Sequence, residues 1–370
     1  MEANTQQMMA FAAIDKRIME TIPRPTQEVR SGKDYVYWGD DNLYGEYLFN
    51  LYVDVTTLKT ICDQSADYVA GDDVIGNVPG METTINRKGD TWRELIQWLA
   101  RDWFVFGGCT FQVVRNLRGE ISELYYIDFR YIRTDEHNES FFYSKDWAKR
   151  YVRTTKTIVY PKYVKDSNEP SSIVYIKNTT STPYPIPRYS GSIRAAEIER
   201  RIDQLHLNGL ANGFLPSFMI SFNQGIPTDE QRDKIERDIT EKFTGSENAG
   251  RILLNFSNGK ENAATIESVD VQDYGDKYQA AAKRSREMLY TAFGANPCLF
   301  GLNTEANGFS EIEFLESFRL YNSTTIRSIQ RKFGDVFDKV FGLKGAVTFK
   351  PFTLAPKEED NNNNQTTNVQ

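Results

Sequence analysis

Gly294-Ala295-Asn296-Pro297-Cys298-Leu299-Phe300-Gly301, running on to Phe309, is the stretch on which the reading of this 370-residue chain turns. Apolar residues recur at three and four on both sides of it, which predicts a helix over 272–293 before it and another from Ser310 to about Phe341 after it. A connection of roughly fifteen residues is longer than most, and loops of that length are functional or disordered. Its centre, Asn303-Thr304-Glu305-Ala306-Asn307-Gly308, is small and polar. Ser310-Glu311-Ile312-Glu313 has the form of a capping box. The helix it opens carries Leu315, Phe318, Ile326, Ile329, Phe333, Val336 and Val340 on one stripe. At a rise of ~1.5 Å per residue that helix spans about 45–50 Å. A small domain does not cover such a length, so neighbouring domains or subunits are expected against it.

Upstream, Pro183, Pro185 and Pro187 make a stiff extended approach to a predicted helix over 191–214. Its apolar line, Ile198, Ile202 and Leu205, is narrow, and Arg194, Glu197, Glu199, Arg200, Arg201 and Asp203 fill the other faces. A globular helix usually has a wider apolar face. A narrow stripe flanked by both signs of charge suits side-by-side packing with like helices; a surface helix of a monomer is the alternative. Pro216 ends the helix, and residues 216–270 read as a β-α-β-β insert. Its elements are a strand at Ser217–Phe222, a helix from the capping box Thr228-Asp229-Glu230-Gln231 to Phe243, and strands at Arg251–Phe256 and Thr265–Val271. A unit of ~55 residues is compact enough to be a module held between two helices. The helix after it carries Lys277, Lys283, Arg284 and Arg286.

Residues 1–190 read as an aromatic α/β module. Residues 1–22 have the pattern of a short amphipathic helix, an arm expected to be mobile or ordered by a partner. Tyr35-Val36-Tyr37-Trp38 gives way abruptly to Gly39-Asp40-Asp41-Asn42; with no second ligand cluster nearby, the Asp pair reads as a turn and helix cap rather than a metal site. Leu48, Leu51, Val55, Leu58, Ile61, Cys62 and Val69 mark an amphipathic helix over 43–70, broken near Asp54–Thr57. Thr91-Trp92-Arg93-Glu94 is a capping box opening a helix to Phe106, and Gly107-Gly108 ends it. Strands follow at Cys109–Arg115 and Ile121–Ile127 around the turn 116–119, then at Phe141–Tyr143, Thr157–Tyr160 and Ile173–Ile176. Tyr125, Tyr126, Phe141, Phe142, Tyr143, Tyr160 and Tyr175 sit on these strands. They read as the filling of a sheet face, with base stacking as the alternative use. After the long helix come a strand at Val347–Phe349 and an acidic, then Asn/Gln/Thr-rich tail with the composition of a disordered segment.

The charge of −7 argues against tight nucleic-acid binding, which needs many cation–phosphate contacts. Cys62, Cys109 and Cys298 are odd in number and far apart, so they read as packing thiols rather than a zinc site or disulfide framework. No apolar run reaches the ~18–20 residues of a membrane span. The N-terminus lacks a basic start followed by an apolar core, so a cytoplasmic product is expected. His137 and His206 are the two histidines. There is no His-x-x-x-His pair, no Gly-x-Ser-x-Gly elbow and no Gly-x-x-x-x-Gly-Lys-Ser/Thr phosphate loop, so no enzyme class, metal or cofactor is implied.

Four segments, in this order, resemble portal proteins of tailed bacteriophages, of the broad group that includes the HK97-type and some gut-phage portals. They are Ile186-Pro187-Arg188-Tyr189, Pro227-Thr228-Asp229-Glu230-Gln231, Gly245-Ser246-Glu247-Asn248-Ala249-Gly250-Arg251-Ile252-Leu253 and the segment 292–301. Trp38-Gly39-Asp40-Asp41-Asn42-Leu43-Tyr44 is similar to the start of some gut-phage portals. The resemblance implies an α+β portal fold: an N-terminal arm (1–29), an α/β wing (30–190), stem helices (191–215 and 271–294) flanking a β-α-β-β clip (216–270), a tunnel loop (295–309), a long helix completing the wing (310–350) and a disordered tail (351–370). Little sequence follows the long helix, so a helical crown is expected to be reduced or absent.

The resemblance further implies a homo-oligomeric ring, usually of twelve, at one capsid vertex, through which double-stranded DNA is packaged and ejected. The implied partners are the terminase large subunit, a head–tail adaptor and the major capsid protein, with no membrane and no cofactor. The location implied is the virion, and the host cytoplasm during assembly. Asn303, Thr304, Glu305, Asn307 and Gly308 would touch DNA loosely, and Asp229, Glu230, Asp233, Glu236 and Arg237 would form the clip's docking surface. Lys277, Lys283, Arg284 and Arg286 would line the bore or pair with carboxylates of the next subunit. The competing readings are a ring-forming adaptor or scaffold with no DNA role and a soluble enzyme with an unrecognised acid–base site.

Overall fold

The computed structural model describes residues 9–10, 22–30, 32–148, 157–211, 219–222, 228, 234, 253–256, 271–301 and 311–353; of these, side chains are described except at 9–10, 208–211, 219–222, 253–256 and 271–277. The chain begins with β1 (Met9–Ala10), β2 (Gln27–Val29), β3 (Val36–Trp38), α1 (Tyr44–Asp54), α2 (Thr56–Ala70), β4 (Asp73–Gly76) and α3 (Trp92–Phe106). Six strands follow: β5 (Gly108–Arg115), β6 (Ile121–Ile127), β7 (Ile132–Thr134), β8 (Ser140–Tyr143), β9 (Ile158–Pro161) and β10 (Ser171–Lys177). Then come α4 (Ile193–Ala211), β11 (Met219–Phe222), β12 (Leu253–Phe256), α5 (Val271–Phe293), α6 (Glu311–Tyr321), α7 (Arg327–Phe341) and β13 (Val347–Lys350). The architecture is mixed helix and sheet, as the sequence pattern predicts.

The aromatic lobe forms around α2 and α3. The predicted break in the first helical run falls at Val55, whose extended backbone (φ −100°, ψ 108°) separates α1 from α2. All seven apolar residues named for that run are fully buried. Thr91 caps α3 as its sequence dictates: its hydroxyl accepts from the Glu94 amide, and the Glu94 carboxylate accepts from the Thr91 amide. Gly107, at φ 82°, ends the helix in the left-handed region. The antiparallel sheet β10-β5-β6 lies beside it. Of the seven strand aromatics, Phe141 and Phe142 are buried as expected, while Tyr125, Tyr126, Tyr143, Tyr160 and Tyr175 are half-buried. Phe129 stacks on Tyr175 at 5.4 Å, and Phe111 stacks on Phe337 of α7 at 5.1 Å.

The long helix differs from expectation in one respect. Between α6 and α7, Asn322–Ile326 form a π-helical turn, so the helix widens rather than running as uninterrupted α. The Ser323 and Thr324 hydroxyls bond back to the Leu320 carbonyl, at 2.9 and 2.8 Å, which competes with the ordinary ladder there. The predicted stripe faces the core, and Tyr321 and Phe337, missing from it, are also buried. β13 then pairs antiparallel with β4, a strand not predicted. Gly76 of β4 is obligatory: a Cβ there would lie 1.9 Å from the Trp92 indole nitrogen.

Other expectations need correction. Within the arm, Met9–Ala10 form a strand paired with β12 where a helix was expected. Trp38–Asn42 is organised by Asn42, not by the Asp pair. The N-cap of α1 is Leu43 and has no side-chain cap; Asp41 instead accepts from the Leu43 amide in a tight turn. Asn42, at φ 67°, is fully buried and receives the buried Arg133 guanidinium. On α4 the expected line fails: Ile202 is buried but Ile198 and Leu205 are each 44% exposed, and Ala195, Ala196, Glu197 and Glu199 are buried in their place. Small side chains let the neighbouring helix approach closely, and that decides the buried face. In the insert, β11 and β12 are parallel neighbours, consistent with a crossover between them. The insert helix apart from Lys234, the 265–270 segment and residues 354–370 of the tail lie outside the described residues. The first tail residues are ordered, with Phe352 packed on Tyr68 and Phe318, and Val271, placed in the last expected strand, begins α5.

Candidate functional site

The features left unfinished by the core gather on α4 and α5. The pair is antiparallel, and its level is set where the Ser192 hydroxyl bonds the Met288 carbonyl at 3.2 Å. One end is anchored in the lobe: Leu289 and Phe293 are fully buried, Tyr189 stacks on Phe293 at 5.5 Å, and the Tyr189 hydroxyl donates to the Val105 carbonyl at 2.9 Å. Arg200 ties α4 to the end of α1 through Asp54 at 3.4 Å and is held by Glu197 at 3.0 Å. Beyond this anchorage both helices become exposed.

A groove of about 910 Å³ opens between the start of α2, α4 and α5. Glu199, Asp203 and His206 line it from α4, and Lys283, Arg286 and Tyr290 from α5. Glu199 is 8% exposed; one carboxylate oxygen accepts from Thr57 at 2.7 Å, and the other, Oε2, has no hydrogen-bond partner among the described residues. Burial raises the Glu199 pKa, while Thr57 and the Arg286 charge pull it partly back. Burial also pushes the Tyr290 phenol up to about 12. Arg286 is turned to its own helix, with Nε 3.4 Å from the Ala282 carbonyl.

The four basic residues predicted on α5 divide. Lys283 and Arg286 face the groove, and Arg284 lies exposed on another face beside Met288. Lys277 is in α5, two turns before Arg284; its side chain is outside the described residues. Among the described residues no carboxylate lies within ion-pair distance of Lys283, Arg284 or Arg286. Asn303, Thr304, Glu305, Asn307 and Gly308 are outside the described residues, as are Asp229, Glu230, Asp233, Glu236 and Arg237. The start of the long connection is described and is not a loose loop. Pro297–Phe300 form a 3-10 turn capped by Asn296, with Cys298, Leu299 and Phe300 buried. Sequence reasoning missed Glu199, Asp203 and His206 as a set; their spacing of four and three on one helix was the available signal.

The described residues hold no group of three or more His, Cys, Asp or Glu side chains suited to a metal ion, and none of their helices is long and apolar enough to cross a membrane. Cys62, Cys109 and Cys298 are free and buried.

Comparison with known proteins bears on the family and the fold. The family model described as phage portal protein matches residues 86–366. A solved structure described as the virion of a native gene transfer agent particle has a TM-score of 0.53 and 17% identity, covering 83% of each chain. The neck of a native gene transfer agent particle, computed with C12 symmetry, has a TM-score of 0.51 and 18% identity, covering 82% of this chain and 83% of that one. These likenesses are of fold. An uncharacterized protein of Rickettsia bellii (strain RML369-C) is 26% identical over 147 residues, which are 39% of this chain and 37% of that relative.

Proposed function

The chain belongs to the phage portal protein family, and from that premise we propose that it forms the ring at one capsid vertex through which double-stranded DNA is packaged and ejected. The observation that carries the proposal is the family match, which runs through the helix pair, the insert and the long helix. The helix pair supports it physically. It is anchored at one end and exposes apolar side chains, an open groove and unpaired cations along its length, as a segment does when its remaining contacts belong to another copy.

In this reading α4 and α5 are the stem helices, and the insert at 216–270 is the clip that meets the terminase large subunit and later the head–tail adaptor. Asp229, Glu230, Asp233, Glu236 and Arg237 form its docking surface. Residues 30–190 with the end of the long helix form the wing, set in the shell of the major capsid protein. The tunnel loop is narrowed to 301–309, because Ala295 and Cys298–Phe300 are packed into the lobe. Asn303, Thr304, Glu305, Asn307 and Gly308 then touch the passing duplex. The ring number proposed is twelve, after the symmetry applied to the gene transfer agent neck. The acidic charge fits this role. A ring multiplies every phosphate contact by the subunit number, and strong contacts would hold DNA that must slide.

Negative-stain electron microscopy of the purified chain tests the reading. Rings with a central hole are expected; a monomer at all concentrations would overturn it. Deleting Asn303–Gly308 separates a portal from a ring-forming adaptor. In a portal, heads assemble but package or retain DNA poorly, whereas an adaptor without a DNA role tolerates the deletion.

A further inference from the structure

The groove beside α4 has a specific defect. Glu199 is buried, its Oε2 has no donor among the described residues, and it lines a cavity large enough for several side chains. A buried carboxylate with an unused oxygen is costly unless a donor reaches it. The cations on the same cavity wall leave that oxygen without a hydrogen bond, and Arg286 turns to its own backbone. The missing donor is therefore to be sought outside the described residues, and a second copy of the chain is the candidate.

A separate face of the same helix pair carries the complementary features. Ile198 and Leu205 stand one position before Glu199 and His206, so they are turned by ~100° from those two residues and flank the groove edge at Ile202. On α5, Ala281, Arg284 and Met288 follow one another at three and four and share a face. Ile198 and Leu205 are each 44% exposed on α4, and on α5 Met288 is 40% exposed one turn after the exposed Arg284. Outside the groove the pair thus exposes apolar side chains and a cation with no ion pair among the described residues, and the groove offers a cavity around a carboxylate oxygen without a donor.

We infer that Arg284 of one copy inserts into the groove of the next and donates to Glu199, with Ile198, Leu205 and Met288 closing over the contact. The inference rests on the ring reading above and adds to it the pair of surfaces that meet. Knob and socket are different surfaces of one chain, so the contact is head-to-tail, the kind that closes into a ring rather than a two-fold dimer. The levels agree. Ser192 lies opposite Met288, so in the antiparallel pair Arg284 is about a turn from the level of Glu199, within reach of an arginine side chain. A double-stranded nucleic acid is not the occupant, because its phosphates would meet a buried carboxylate.

Two measurements on the full chain test this. The first is a double-mutant cycle on ring formation, using Glu199→Gln, Arg284→Gln and both together. Glu199→Gln keeps the side-chain size and the oxygen that serves Thr57, so the fold is retained. Each single change is expected to raise the concentration at half-assembly by about 10-fold or more, and the double change to cost no more than either single one. Single changes that leave assembly unaltered, or effects that simply add, would overturn the pairing. The second is cross-linking of a chain carrying both Ala281→Cys and Asp203→Cys with a short bismaleimide. The native cysteines are buried and do not compete. A ladder of covalent oligomers is expected from the double variant and none from either single variant. Rings that form normally but give no ladder would overturn this contact and leave the portal reading standing, whereas a wild-type chain that forms no rings would overturn the portal reading itself.

Discussion

The aromatic lobe and the α4/α5 pair both carry acidic and basic residues and differ in how fully their buried charges are satisfied. In the lobe, Arg133 is fully buried with no carboxylate bonded to it, yet every nitrogen has a partner. It donates to the Asn42 side chain at 2.7 Å, the Asn42 carbonyl at 2.6 Å, and the Arg130 and Ile132 carbonyls at 2.8 Å. The rings of Trp147 and Trp38 lie near its charge at 4.8 and 5.7 Å. In the helix pair, Glu199 is nearly as buried and half of its carboxylate is unused. One region closes on itself; the other leaves a contact that the described residues do not supply. The difference teaches where to look for stability and where for assembly.

The strongest way to break the comparison is at Arg133. Arg133→Met should cost about 3–5 kcal/mol, because it takes the guanidinium donors away from the Asn42, Arg130 and Ile132 carbonyls and leaves the Asn42 side-chain oxygen with the Trp38 amide at 3.1 Å. All five tryptophans lie between residues 38 and 147, so urea unfolding followed by tryptophan fluorescence reports on the lobe. A loss below 1 kcal/mol would mean that the buried cation is not what holds the turn at Asn42 to the sheet.

How much of each region was legible follows from the same contrast. α3 carries its own signals, from the Thr91 cap through Leu95 and Leu99 to Gly107, and its observed ends match its sequence. The short strands β3, β4 and β7 have too few residues to show alternation, and tertiary pairing alone makes them strands. The π-helical turn at 322–326 has no periodic signature. On α4 the apolar residues were visible but their burial was not. Ala195 and Ala196 give a close helix approach, and Glu199 is buried because Thr57, distant in sequence, meets it. The candidate site was legible only as a charged helix pair; the groove depends on how three elements meet.

Asp102 sharpens the comparison from inside the lobe. It is buried at the junction of α3, β6 and the turn after it, bonded by the Tyr126 hydroxyl at 2.8 Å, the Phe129 amide at 3.2 Å and Arg101 at 3.3 Å. Burial, helped by the Asp128 charge, raises its pKa to about 7 despite those donors. Between pH ~4 and ~7 the native state therefore holds a proton that the unfolded chain has released. The stability this proton gives is present below pH ~4 and is lost as pH rises through about 7. The loss is on the order of 4 kcal/mol, for a shift of about three pKa units at 1.36 kcal/mol each. Asp102→Asn should flatten the fall in unfolding free energy across that window, while an unchanged slope would assign the fall to other carboxylates. A smaller effect belongs to the α3 cap: Thr91→Ala should cost about 1 kcal/mol in the same unfolding measurement, since the Glu94 amide loses its acceptor.

The smallest expected stability change is the most discriminating between the two regions. Replacing both Ile198 and Leu205 by Ser removes apolar side chains that are already 44% exposed in the isolated chain. Surface substitutions of this kind change stability by about ±0.5 kcal/mol. Comparable truncation at Leu58 or Leu99, which are fully buried, would cost several times more, about 2–5 kcal/mol for a buried leucine cut back to Ala. The double Ser variant should therefore unfold with the wild-type midpoint by tryptophan fluorescence and yet assemble at a higher concentration by sedimentation. If it unfolds early and assembles normally, the exposed face of α4 serves the fold of its own chain, and the contrast between a closed lobe and an open helix pair fails at the residue pair that defines it.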